Sequence, residues 1–527
     1  MDRRKFLKNT LPASLALPSL FRGYNLSALA AGHPLLRAMM GMGTPAATDH
    51  VLVLIQLSGG NDGLNTVIPL EYFSEYANAR SNIYIPQEKT LKLTGIDKVG
   101  LHPALTGLQA LYNEGELNII QSVGYPDPSF SHFRATDIWM TASDSTTVLD
   151  TGWNGRYLDY EYPNFPIGYP NATMPDPLGI RIGSVSTLNF QGPALNMAMS
   201  ITNPTNFYNL LNGVQDPVPN TPAGKELSYV RTLAQETQQY AQVIKNAAGN
   251  VTQQSTYPSN NSLADQLKIV ARLIKGGLRT KLYLVSYGSF DTHSRQVDTT
   301  DKTTGTHANL LQNLGDAIKA FQDDLKFLEV DDRVIGMTFS EFGRRIKSNA
   351  STGTDHGSAA PLFIFGKQTT PGVTGNTPAL PANATVNDNI AFQYDFRSVY
   401  ATLLSNWLCV DDNGLQAVMY KNYDVLPIVN GSSCHPNSPN LSGNSLISNY
   451  PNPFRNSTTI LFQSAGGHVT IQIVDNEGRT LKLLVDADYP PGSYSVLFDG
   501  SGLGNGIYYA KFQNMDRRQV RRLSKIK

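Results

Sequence analysis

The chain has 527 residues, and its 42 Lys+Arg against 42 Asp+Glu leave a formal net charge of zero. That balance removes the whole-chain field that would gather nucleic acid or anionic lipid, so neither is expected as a partner. The length allows one large domain plus a smaller one, while 2 cysteines are too few for a disulfide scaffold and wrongly spaced for a structural zinc site.

The chain opens Met1-Asp2-Arg3-Arg4-Lys5-Phe6-Leu7-Lys8, followed by a short apolar stretch from Leu11 to Phe21 and by Ala28-Leu29-Ala30-Ala31. Basic residues, a weak apolar run and small residues at the cleavage offsets make the three parts of an export signal. The paired arginines with Phe and Leu behind them look like a twin-arginine signal. Residues 1–30 are therefore expected to be an export signal, removed after about Ala30. Beyond it no apolar run reaches about 18 residues, so no transmembrane segment is expected in the mature chain.

From Val51 to Leu57 the chain is almost wholly apolar, as in a strand buried on both faces. The apolar spacing of Leu263, Leu267, Val270, Ala271 and Ile274 predicts a helix over 261–275, and Lys281 to Ser286 reads as the next strand. His307, Leu310, Leu311, Leu314, Ile318, Phe321, Leu325 and Leu328 mark one face of a long helix. Strands are predicted again over Val334–Phe339 and Pro361–Gly366. Strands alternating with such helices argue an α/β sandwich with a mainly parallel sheet, placed at 45–434. Two stretches rich in Asn, Thr and other small polar residues, Ser200 to Asn260 (with a helix expected over Lys225–Lys245) and Gln368 to Thr385, read as insertions.

Residues 435–446 have linker composition. Beyond them short alternating segments (Thr458–Phe462, Val469–Val474, Leu481–Val485, Tyr494–Phe498 and Ile507–Phe512) argue a small antiparallel β-sandwich over 447–527. Cys409 and Cys434 stand just before this linker, where a bridge in an oxidising compartment would pin the end of the larger domain; two free thiols are the alternative.

In a parallel sheet, ligand sites form outside the carboxyl ends of the strands. Polar clusters recur there: Asn61-Asp62 after the first strand, Asp291-Thr292-His293 after the strand ending at Ser286, and Ser340-Glu341-Phe342-Gly343-Arg344 after the strand ending at Phe339. Asp355-His356-Gly357 follows shortly. Carboxylates and imidazoles gathered at one edge suit a divalent cation. Ser131, in Pro128-Ser129-Phe130-Ser131-His132-Phe133, is placed as a helix N-cap and nucleophile candidate, with Ser129 as the other hydroxyl. His132 is open to three roles there: base, metal ligand or anion contact. Arg344 or Arg134 would grip a substrate oxygen or, equally, pair with a nearby carboxylate.

The motif set Gly59-Gly60-Asn61-Asp62-Gly63-Leu64-Asn65, Ser131-His132-Phe133, Asp291-Thr292-His293, Ser340-Glu341-Phe342-Gly343-Arg344, Thr354-Asp355-His356-Gly357 and Asp395-Phe396-Arg397-Ser398-Val399-Tyr400 resembles an uncharacterised bacterial family. It is known as domain of unknown function fifteen-oh-one and is grouped with alkaline phosphatases and sulfatases. The resemblance implies an alkaline-phosphatase-like α/β/α fold and hydrolysis of a phosphate or sulfate ester, with Ser131 as nucleophile. It also implies one or two divalent ions (Zn, Ca, Mg or Mn). Asp62 would bind metal beside the nucleophile; Asp291, His293 and His356, with the neighbouring Asp355, would form one site, and Glu341 would serve a second. Phe342 stands where the clan has a histidine, which leaves any second site oxygen-rich. The sulfatase Cys/Ser-x-Pro-x-Arg motif is absent.

At the other end, Asn449-Tyr450-Pro451-Asn452-Pro453-Phe454 and Gly506-Ile507-Tyr508-Tyr509-Ala510-Lys511-Phe512 resemble the C-terminal sorting domain of the type IX secretion system of Bacteroidetes-type bacteria. That resemblance implies the type IX machinery as a partner and secretion or surface attachment. Two functional readings stand: a secreted metal-dependent hydrolase of anionic small-molecule or glycan esters, and a non-catalytic surface protein binding glycan or protein.

Overall fold

Val51–Leu57 (β1) is buried along its whole length, as a strand inside a sheet with helices on both faces must be. The computed structural model describes residues 48–204, 240–430, 434, 445–450, 454–514 and 517–526. The export signal and the linker expected at 435–446 therefore lie outside the described residues, except for the linker's last two residues. Most of the helix expected over 225–245 lies outside them too, although 240–249 is helical.

In chain order the main sheet comprises β1, Leu117–Gly124 (β2), Gly179–Ile182 (β3), Ala198–Ile201 (β4), Leu282–Tyr287 (β5) and Val334–Ser340 (β6). A short hairpin, Gly343–Ser348 (β7) and Thr354–Gly357 (β8), stands apart from it, and the sheet then resumes with Ala360–Phe365 (β9), Gly372–Thr374 (β10) and Tyr394–Asp395 (β11). The order is β10-β2-β9-β6-β1-β5-β3-β4, with β11 also on β2. Pairing is parallel except for β9, which runs antiparallel to both β2 and β6.

The alternation of β1 separates two cores. Val51, Val53, Ile55 and Leu57 pack with the helices Ser262–Lys275 and Thr306–Phe327, through Leu267, Val270, Leu314 and Phe321. Leu52 and Leu54 face the other way, toward Trp139, Trp153, Tyr400 and Trp407. The result is the α/β/α sandwich with a mainly parallel sheet. The elements predicted over 51–57, 261–275, 281–286, 307–328, 334–339 and 361–366 lie within a residue or two of those observed, and Asn261 caps its helix by accepting from the backbone N–H of Leu263 and Ala264. Cys409 and Cys434 form a disulfide that closes a span of 25 residues.

The C-terminal region departs from the expected string of short strands. Ser457–Val474 is one strand of 18 residues and Thr480–Asp499 one of 20. They pair antiparallel from Ser457 opposite Asp499 to Val474 opposite Thr480. Gly466 and Gly467 have positive φ (108° and 93°), so the chain turns there while pairing continues on either side. The five-stranded sheet ends in Arg517–Lys525, a strand carrying Arg517, Arg518, Arg521, Arg522 and Lys525, paired with Gly506–Asn514. Phe462, Ile471, Phe498, Phe512 and Leu523 form its core. Among the described residues no helix is long and apolar enough to cross a membrane.

Candidate metal centre

β5, β1 and β6 are adjacent and parallel, so the loops after them leave the same sheet edge. The turn after β1 can approach the others only because it is made of glycine. A Cβ on Gly59 (φ 119°) would lie 2.4 Å from the Asp291 backbone nitrogen, and one on Gly60 (φ 76°) 2.4 Å from the Phe342 ring. The β7–β8 hairpin sets Arg344 directly opposite His356, and the helix His132–Thr141 starts at the same place with Ser131 as its N-cap.

Three imidazoles converge here on one carboxylate. His132 has Nδ1 2.8 Å from Glu341 Oε1 and Nε2 3.5 Å from Asp291 Oδ2. His356 donates Nδ1–H to the Phe130 carbonyl at 2.8 Å, and its Nε2 lies 3.4 Å from Asp291 Oδ1. His293 has Nδ1 3.1 Å from Asp355 Oδ1 and Nε2 3.2 Å from Asp291 Oδ1. The two Nε2 atoms of His293 and His356 are 2.9 Å apart. A carbonyl oxygen can only accept, so His356 carries a proton on Nδ1 and presents Nε2 to the cluster, while His132 and His293 each have a carboxylate at both ring nitrogens. Ligand atoms of His132, Asp291 and His356 all lie within 4.8 Å of one another.

The surroundings set the charge states. Partial burial works to raise the pKa of Asp291, but the hydrogen bond and charge of Arg344, with His293 and His132, outweigh it and hold the carboxyl below its usual range. Burial pushes the pKa of His356 down; the hydrogen bond to Phe130 opposes this, and the charge of Arg344 adds to the lowering. Both effects favour the deprotonated forms that bind cations.

Three expected ligands and both candidate substrate contacts take other positions. Asp62 is not among the converging atoms: it is fully buried, accepting from Arg80 Nη1 at 2.7 and 2.6 Å and from Gln296 Nε2 at 2.6 Å. Burial opposes its ionisation, but the Arg80 charge prevails and the pKa is lowered. Glu341 is also withdrawn, accepting from the Gly59 N–H at 2.8 Å while it holds His132. Asp355 stands behind His293 and accepts from Asn349 Nδ2 at 3.2 Å.

Arg344 is fully buried and spent on the fold. It donates to the carbonyls of Gly60 (2.7 Å), Thr354 (2.7 Å), Phe290 (3.1 Å) and Gly59, and to Asp291 Oδ1 (2.7 Å). It braces the site and, fully buried, does not present its guanidinium to a substrate. Arg134 is spent similarly, on the carbonyls of Asp144, Ser145 and Thr147. Ser131 makes no side-chain cap bond although it holds the N-cap position, and its N–H donates to Ser129 Oγ at 3.3 Å.

Sequence reasoning missed Arg80 and Arg345. Arg80 ends an unremarkable Ala-Asn-Ala-Arg run, and nothing local marks it. Arg345 is half-buried, with its guanidinium 5.0 Å from the centroid of the Phe130 ring, beside the Ser131 turn. Phe342 fills the floor, its ring 4.9 Å from that of His132 and 4.5 Å from that of His356.

Residues 206–413 match the family described as "Protein of unknown function (DUF1501)", and residues 448–526 match the "Secretion system C-terminal sorting domain". None of the curated proteins matches the chain. Similar solved structures include a protein in the alkaline phosphatase superfamily from Vibrio parahaemolyticus, with 11% identity, coverage of 91% of this chain and 84% of that one, and a TM-score of 0.33. A sulfatase from a Pseudoalteromonas species has 12% identity, covers 90% and 86%, and scores 0.31. The alkaline phosphatase from the Antarctic bacterium TAB5 has 11% identity, covers 72% and 99%, and scores 0.27. Scores this low carry no argument about activity, which rests on the residues themselves. The chain thus matches the DUF1501 family model over 206–413 and the secretion-system C-terminal sorting-domain model over 448–526.

Proposed function

We propose that this is an exported, metal-dependent hydrolase of phosphate or sulfate esters. The observation that carries the reading is that ligand atoms of His132, Asp291 and His356 all lie within 4.8 Å of one another, with His293 Nε2 2.9 Å from that of His356, an arrangement that suits one divalent ion. The donor set fits such an ion: His132, His293 and His356 offer nitrogen and Asp291 offers oxygen, a nitrogen-rich set that suits Zn²⁺ better than Ca²⁺ or Mg²⁺. A bound divalent ion would supply Lewis-acid stabilisation of negative charge on the ester oxygens.

The chain's own residues divide the remaining work. Ser131 presents a hydroxyl uncommitted to capping at the start of a helix, where backbone N–H groups favour an anion. It is assigned as the nucleophile, and His132 as a ligand oriented by Glu341. Arg345, which donates from Nη1 to the Asn387 carbonyl, is assigned as the anion contact in place of Arg344. The motif order shared with the phosphatase and sulfatase clan supports the ester class.

The same proposal covers export: a twin-arginine signal over 1–30, the α/β domain over 45–434, a linker over 435–446 and a type IX sorting domain over 447–527, with secretion or surface attachment as the outcome. The test is elemental analysis of the chain prepared without chelator, beside Asp291→Ala and His356→Ala, followed by turnover of aryl phosphates and sulfates. Bound metal that disappears in the variants, with turnover in the parent, is the expected result; no metal in a folded parent would sink the reading.

A second reading, a non-catalytic surface protein that binds glycan, draws on Phe133, which is 87% exposed directly after His132 and could stack on a sugar ring. Glycan binding untouched by Asp62→Ala and Asp291→Ala, with no turnover, would favour it.

A further inference from the structure

The fate of Asp62 bears on how many ions the centre takes. Its two carboxylate oxygens receive three donor contacts, two from Arg80 Nη1 and one from Gln296. Both members of the ion pair have fully buried side chains. Arg80 is fixed on every side: Nη1 also reaches Asn65 Oδ1 at 3.1 Å, Nε donates to the Ile346 carbonyl at 2.8 Å, and Nη2 to the Arg345 carbonyl at 2.6 Å. Asn65 is itself locked by Tyr76 and by the Ile83 carbonyl. A buried guanidinium with five directed donors cannot shed its charge or move aside cheaply.

The other carboxylate expected to serve a second ion is equally engaged. Glu341 Oε1 accepts from Gly59 N–H and His132, and Oε2 faces Ser340 Oγ at 3.3 Å. The apolar ring of Phe342 packs against the imidazoles of His132 and His356 and against Gly60. Charge points the same way. Asp62, Asp291, Glu341 and Asp355 are four carboxylates, Arg80 and Arg344 are two guanidiniums, and the imidazoles are neutral in their ligand form. One divalent ion cancels the remainder, whereas two would leave a doubly positive cluster before any substrate arrived.

Resting on the metal-centre reading above, we infer that the site is mononuclear and that Arg80 is a built-in cation neutralising the carboxylate that would otherwise help hold a second ion. The test is a metal count on the full chain by native mass spectrometry and elemental analysis, with Zn²⁺ and then Co²⁺ in excess and desalting before measurement. The expected result is one ion per wild-type chain, one in Asp62→Asn and none in Asp291→Ala/His356→Ala. Should Asp62→Asn not fold, the wild type still decides: the Co²⁺ visible absorption should saturate at one equivalent, with an electron paramagnetic spectrum free of coupling between ions. Two ions per wild-type chain, or coupled Co²⁺ centres, would overturn the inference and leave the hydrolase reading intact. No ion at all would remove both.

Discussion

His356 Nδ1 donates to the carbonyl of Phe130 at 2.8 Å, tying the β8 imidazole to the residue immediately before Ser131. The putting together of ligand and hydroxyl is thus a backbone matter: the turn that carries the proposed nucleophile also fixes the tautomer of a proposed ligand. Replacing Ser131 should then separate chemistry from metal binding. Ser131→Ala is expected to lower turnover of an aryl ester by roughly 10³-fold or more with the metal content unchanged, whereas Ser129→Ala should retain most of it. Equal losses in the two variants would remove the assignment of Ser131.

Asp355 tests the support behind the ligands. It holds His293 Nδ1 from outside the cluster, and loss of such a partner typically weakens metal binding about 10–100-fold. Competition with a chelator should show that loss in Asp355→Ala, with unchanged stoichiometry at saturating metal. An unchanged affinity would mean that Asp355 is merely a surface carboxylate.

The buried pair of Asp62 and Arg80 predicts a stability effect. Asp62→Asn leaves the Arg80 charge buried without its partner, which should cost about 3–5 kcal/mol in denaturant unfolding of the metal-free chain. A cost below about 1 kcal/mol would show that water reaches Arg80 after all.

Acid should loosen the fold through two histidines near the same loops. Burial depresses the pKa of His307 from 6.5 to about 4 and that of His102 to about 3. Both stay neutral in the folded chain while the unfolded chain takes up protons below about pH 6.5. Their contribution to stability is complete above that pH and declines as the pH falls toward 4 and then 3. The metal-free Tm should therefore drop between about pH 7 and pH 5, and a flat profile would contradict the burial of these rings.

The disulfide predicts a covalent readout. The Cys409–Cys434 bridge closes a span of 25 residues, and its reduction should cost about 2–4 kcal/mol. Mass spectrometry after alkylation without reductant should find no modified cysteine in the exported protein; two modified thiols would rule the bridge out.

What the sequence made legible follows from range. Apolar strands and helix faces such as Val51–Leu57 and Leu310–Leu325 announce themselves within a few residues, because burial on two faces or one writes a local pattern. The gathering of Asp291, His293 and His356 was legible too, since parallel neighbours deliver their loops to one edge. The roles of Asp62 and Arg344 were not. Each is decided by partners far along the chain, Arg80 and Gln296 for one and four backbone carbonyls for the other, and a carboxylate aimed at a guanidinium looks like one aimed at a cation. The long C-terminal hairpin reads in the sequence as shorter strands because Gly466-Gly467 and Pro490-Pro491-Gly492 punctuate it whether or not the pairing stops there.

Glu341, Asp355 and the Phe130 carbonyl hold the three imidazoles from behind, on the side away from their meeting point. The cradle is consequently a property of the polypeptide and does not wait for its occupant. On the metal-centre reading proposed above, loading would be a late, reversible event that needs no refolding of the chain.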